Sequence, residues 1–99
     1  MSANPKAWIE KRRERFEFPE PGRTYTINML RVPERHRLGK YEKWLIFPTL
    51  GHALSLWDSQ LDFLIDELMG HFGESRWPPQ VDIVFEKTPE GYLVPRVVG

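Results

Sequence analysis

Between Arg31 and Trp44 the chain carries Arg31, Arg35, His36, Arg37, Lys40 and Lys43, with Tyr41 and Trp44 set among them. Cationic side chains at that density neutralise phosphates and release counterions, which gives affinity without reading bases. Aromatic faces beside them stack on unpaired bases, each worth roughly 1–3 kcal/mol. Arginine outnumbers lysine nine to five in the whole chain, and guanidinium groups suit phosphate forks and planar stacking. A second basic cluster, Arg12, Arg13 and Arg15, would extend the same path. The pattern points to single-stranded DNA or RNA held with little sequence preference, Tyr41 and Trp44 stacking and the cations holding phosphates. Two features weigh against it: Glu34 and Glu42 interrupt the cluster, and the formal net charge is zero, whereas dedicated nucleic-acid binders are strongly basic.

Catalytic chemistry is harder to find. His36, His52 and His71 have no partner at the spacings zinc sites use, and the absence of cysteine removes disulfides, thiolate ligands and a Cys nucleophile. Ser55, Ser59 and Ser75 sit in no nucleophile elbow, and the glycines form neither a P-loop nor a dinucleotide fingerprint. The expectation is a protein that is not an enzyme, with no cofactor and no metal.

The rival reading is a protein-interaction or inhibitor module. If residues 54–72 are one helix, Leu56 and Phe63 fall on its outer face, seven apart, and offer a contact for a homodimer. Asp58, Asp62 and Asp66 follow one another along another strip of that helix, where they could meet a basic protein partner or imitate a phosphate backbone. Charge placement fits either reading. Residues 1–43 hold eleven basic groups against six glutamates, and residues 44–99 hold three against eight acids. A chain divided in this way presents a basic surface to phosphate, or packs its two halves together so that their fields cancel.

The elements that must position these groups follow from length and pattern. Ninety-nine residues, 40% hydrophobic and 13% aromatic, suit one domain with one core. The longest apolar run is Trp44–Phe47, too short to cross a membrane. Charges occupy the positions where a signal peptide would be apolar, so the expected location is cytoplasmic. Residues 1–22 read as a basic N-terminal helix or arm, with Asn4 as cap and Pro5 at the first helical position, ending in the Phe18–Gly22 loop.

Residues 23–99 read as a ββαββ body. Arg23–Val32 alternates as a strand, with Tyr25, Ile27 and Met29 on one face. Pro33–Lys40 reads as a polar connecting loop, so the basic cluster would sit at a hairpin tip. Tyr41–Leu50 is the second strand, cut short by Pro48. Leu54, Trp57, Leu61, Leu64, Ile65, Leu68 and Phe72 recur at helical spacing, with Ser55 and Asp58 as a weak capping pair and Gly70 or Gly73 as a stop. Val81, Ile83 and Phe85 form a third strand. A turn over Thr88–Gly91 leads into a fourth, in which Pro95 marks an edge. The expected fold is α+β: an antiparallel sheet of about four strands in hairpin–helix–hairpin order, with one long helix packed on it.

Overall fold

The computed structural model describes residues 3–6 and 16–98. Residues 5–6 are helical and Lys6 donates its N–H to Asn4 Oδ1 at 3.1 Å, as the expected cap requires. Residues 7–15 of the expected N-terminal helix, with Arg12, Arg13 and Arg15, lie outside the described residues; its expected last residues, Phe16 and Glu17, form a short strand instead.

The fold is α+β, with seven strands in two sheets and one helix of 15 residues among the described residues. The strands are β1 (Phe16–Glu17), β2 (Thr24–Asn28), β3 (Glu34–Leu38), β4 (Tyr41–Ile46), β5 (Ala53–Leu56), β6 (Gln80–Lys87) and β7 (Leu93–Val98); the helix, α1, is Asp58–Phe72. One sheet has the order β1-β5-β4-β3 and the other β2-β6-β7. The expected single antiparallel sheet is therefore corrected: there are two sheets, and the larger is mixed because β1 runs parallel to β5.

The expected first hairpin is also corrected. β2 pairs with β6, with Tyr25 opposite Ile83 and Ile27 opposite Val81, and not with the strand that begins at Tyr41. The chain from Phe47 to Thr49 touches β2 only at its end: Asn28 N–H donates to Phe47 O and Thr49 N–H to Thr26 O, each at 2.8 Å. Pro48 has no N–H to donate, so its two neighbours make these bonds and carry the chain from one sheet to the other.

The basic segment is a strand. Glu34 to Leu38 pairs antiparallel with Tyr41 to Leu45, closed by the two-residue turn Gly39–Lys40. Gly39 has φ 61°, the left-handed first turn position that a tight hairpin gives to glycine. The outer edge of β3 carries charged side chains, which discourage pairing with another strand.

The expected helix over 54–72 begins late. Ala53–Leu56 is strand β5, and Leu54 and Leu56 are both 0% exposed against the core. Two leucines at i and i+2 serve one face of a strand, whereas the i, i+3 and i+7 relation of Leu54, Trp57 and Leu61 imitates a helical stripe. The cap is Trp57, whose N–H donates to Gln60 Oε1 at 2.9 Å, and not the Ser55–Asp58 pair. At the other end Gly73, φ 75°, donates to Met69 O and closes the helix.

β6 and β7 form the second hairpin as expected. Gly91 N–H donates to Thr88 O at 2.9 Å and Thr88 N–H to Tyr92 O at 2.7 Å. β7 is an edge strand, and Pro95 lies on it. Its outward backbone groups are covered by α1: Gln60 Nε2 donates to Leu93 O at 3.0 Å, and Val97 N–H to Glu67 Oε1 at 3.4 Å. Between those two bonds Pro95 has no N–H to satisfy.

The core gathers Tyr25, Ile27, Val81, Ile83 and Phe85 from one sheet, Ile46, Leu54 and Leu56 from the other, and Leu61, Leu64 and Leu68 from α1. Leu56 therefore cannot be a dimer contact. Phe63 is half-buried, with the Arg96 guanidinium 4.9 Å above its ring, and is no free knob either. Among the described residues no helix is long and apolar enough to cross a membrane.

Candidate functional site

Pairing β3 with β4 sorts the basic segment onto two faces, because residues opposite one another across a ladder share a side. Arg35 lies opposite Trp44 and Arg37 opposite Glu42; His36 lies opposite Lys43 and Leu38 opposite Tyr41. The first set shares the core-facing side with Ile46, Leu54 and Leu56, and projects beyond the core. The second set shares the outer side with Ser55, Trp57 and the rings of Phe16 and Phe18.

On the core-facing side the charges are used within the fold. Arg35 Nη2 lies 2.7 Å from Glu42 Oε2, its Nη1 lies 3.1 Å from Asp58 Oδ1, and its guanidinium sits 4.8 Å from the Trp44 ring centroid. The Trp44 indole N–H donates to the same Asp58 carboxylate. Asp58 thereby joins the first turn of α1 to β3 and β4. Trp44, with one face under a guanidinium and its N–H committed, is not an open stacking platform, which corrects the role expected of it. Asp62 and Asp66, the next two members of the acidic strip, are exposed.

The outer side holds an aromatic row. Lys43 Nζ lies 4.5 Å from the Phe18 ring centroid and 4.4 Å from that of Trp57. Trp57 in turn meets Tyr41 edge to face at 5.5 Å, and Lys40 Nζ lies 5.5 Å from Tyr41. Phe18 is 57%, Tyr41 50% and Trp57 45% exposed, while the lysine between them is only 2% exposed. Lys43 is thus no surface phosphate contact, which corrects the sequence expectation. Burial lowers its pKa from the ordinary lysine value, while the ring faces favour its charged form.

Beside Lys43, His36 Nε2 shares a hydrogen bond of 2.9 Å with Ser55 Oγ, and its ring lies 4.8 Å from Phe16. Burial first, and the Lys43 charge second, lower the His36 pKa below 6.5, so the imidazole is neutral at pH 7. A Ser–His pair is part of many acyl-transfer sites. Here Ser55 is 1% exposed, so its hydroxyl does not reach a substrate. Among the described residues no group of three His, Asp or Glu side chains is placed to hold a metal ion.

Two concavities flank the row. One, of about 470 Å³, lies at the far end of the outer face and is lined by Phe16, Arg31, His36, Phe47 and His52. Arg31 lies 3.5 Å from the Phe47 ring centroid and 3.8 Å from Glu34. The other, of about 610 Å³, runs from Trp57 past Phe63 to Tyr92, which is 71% exposed. Arg37 and Lys40 are exposed and make no ion pair among the described residues.

Of the expected residues, the structure therefore brings Tyr41, Lys40 and Lys43 together on one face, with Arg31 farther along it. Arg35, Arg37 and Trp44 fall on the other. Phe18 and Trp57 were missed. In sequence Phe18 reads as part of a loop, and Trp57 as one more member of a helical stripe. Comparison with known protein families, with curated proteins and with solved structures finds no match to this chain.

Proposed function

We propose that this protein binds single-stranded nucleic acid across the outer face of its four-stranded sheet. The observation that carries the reading is the row of exposed rings, Phe18, Trp57 and Tyr41, interleaved with Lys43 and Lys40. Unpaired bases stack on such rings whatever their identity, so the binding has little sequence preference. Lys40 at the hairpin turn is the phosphate contact; Arg31, paired with Glu34 and stacked on Phe47, and Arg35 act in the fold. Few free cations make this a weakly electrostatic binder, with stacking as the larger share of its affinity and a shallow salt dependence.

The test is a tryptophan-fluorescence titration with short single-stranded oligonucleotides at low and moderate salt. Quenching should saturate, and Tyr41→Ala and Trp57→Ala should each weaken binding by roughly five- to a hundredfold, the range expected for one lost stack. Trp44→Ala should change affinity little if the fold is kept. Absence of any response at low salt would overturn the reading.

A further inference from the structure

Outside the aromatic row, Leu30 and Val32 are among the most exposed apolar side chains, and both lie in the segment that walls an apolar cavity. A cavity of about 270 Å³ opens between α1 and the 29–33 segment, walled by Met29, Val32, Ile65, Leu68 and Trp77. Its lining is almost wholly apolar. At its rim Val32 is 72% exposed, and Leu30, the neighbour of Met29, is 81% exposed. Leu30 is held there: its N–H donates to Asn28 Oδ1 at 3.1 Å, and Arg31 N–H to Asn28 O at 3.3 Å. Single exposed leucines are ordinary, but Leu30 and Val32 together beside an apolar opening mark an interaction surface.

Charge is divided across this opening. At 100° per residue, Asp62 and Asp66 lie on the flank of α1 just beyond Ile65 and Met69. Arg31 lines the opposite lip. The patch thus holds a protruding leucine, an apolar hole, an acidic lip and a basic lip. Each has its complement on the same patch, which is the condition for a twofold, isologous contact. The volume lies below the roughly 300–1,000 Å³ of small-molecule pockets, and so suits a side chain better than a free ligand.

We propose that this patch is the interface of a homodimer, in which Leu30 of each copy fills the cavity of the other and Arg31 faces the partner's Asp62 and Asp66. The inference stands apart from the nucleic-acid reading, since the patch shares none of its rings with the aromatic row. It also moves the dimer contact away from Leu56 and Phe63.

The 99-residue chain should be followed by sedimentation from low micromolar to about 1 mM, the weak end of specific association. The mass should rise from one copy to two. Leu30→Asp, at a position already open to water, should leave the circular dichroism and melting temperature of the monomer intact and raise the dissociation constant roughly tenfold or more. Asp66→Arg should also weaken the dimer, and Arg31→Asp in the same chain should restore part of the loss. A chain that stays monomeric throughout overturns the proposal, as does a dimer that Leu30→Asp leaves unchanged. A monomer that takes up decanoate, and loses that uptake in Ile65→Trp, would assign the cavity to a free ligand instead and overturn it as well.

Discussion

Lys43 owes its surroundings to the pleat of β4. Its neighbours in sequence, Glu42 and Trp44, project to the other side of the sheet, while its cross-strand partner His36 shares its own. Burial on that half-covered face disfavours the protonated form of both groups, and at His36 the Lys43 charge lowers the pKa further. The sign of the resulting pH effect is fixed. His36 binds its proton more weakly folded than unfolded, so below pH 6.5 the unfolded chain holds more protons. Stability is fully present above that value and declines as pH falls from it towards the folded pKa. Melting temperatures at about pH 7.5 and about pH 5.5 should differ more for the native chain than for His36→Asn, because the titration window of an unperturbed His lies between them. An equal shift in both proteins would place the source of the effect elsewhere.

At the scale of elements, α1 serves as a cover for β7 as well as a core helix. Gln60 takes both roles, capping the helix by accepting from the N–H of Trp57 and covering the sheet edge by donating to Leu93 O. Gln60→Ala loses a cap and leaves a part-buried carbonyl unpaired, a cost of about 1–2 kcal/mol. A thermal melt should show a loss of roughly 5–15 °C for a domain of this size. Glu67→Ala, which removes a longer and weaker bond to Val97, should cost less.

The same elements show what could be read without coordinates. The 80–98 hairpin was legible, because Val81, Ile83 and Phe85 alternate cleanly and Pro89 and Gly91 mark the turn. So was the helix from Leu61 onward, where the 3.6-residue period has no competitor. β5 was not, since Leu54 and Leu56 fit a strand face while Leu54, Trp57 and Leu61 fit a helix, and burial on the sheet decided between them. β3 was hidden by its charges, although Gly39 between Leu38 and Lys40 was a usable hairpin signal. The site was half legible for a related reason. Composition located Tyr41 and the lysines, but only the register of β3 on β4 could divide the cluster between two faces. Trp57 reaches Tyr41 through a third strand that sequence spacing does not reveal.

Across the whole molecule, the basic and acidic halves of the chain meet inside one fold. Arg35 with Asp58, and the core shared by β2, β4 and α1, join residues from both sides of the divide. The surface is consequently patterned more by where pairs are left incomplete than by the net charge of either half. Lys40→Glu should therefore lower the salt slope of oligonucleotide binding by about one, whereas Arg35→Gln should act mainly on stability through Asp58. Measuring the slope and the melt for both variants separates the two roles; a lower slope for Arg35→Gln alone would reverse them.

The pairing of β2 with β6 carries a consequence for how the chain is made. Thr26 and Asp82, which face each other across that ladder and share a hydrogen bond, are 56 residues apart in sequence. During synthesis β3, β4, β5 and α1 all emerge before β6 does, and they can close their contacts with near neighbours. Until then β2 has no ladder partner, only its backbone bonds to Phe47 and Thr49 and its side-chain packing in the core. Loop closure over that span is slow compared with the local hairpin. A nascent chain stopped before Gln80 would thus leave Tyr25 and Ile27 without their cross-strand partners Ile83 and Val81. Pulse-labelled hydrogen exchange during refolding should find the β3–β4 amides protected before those of β2.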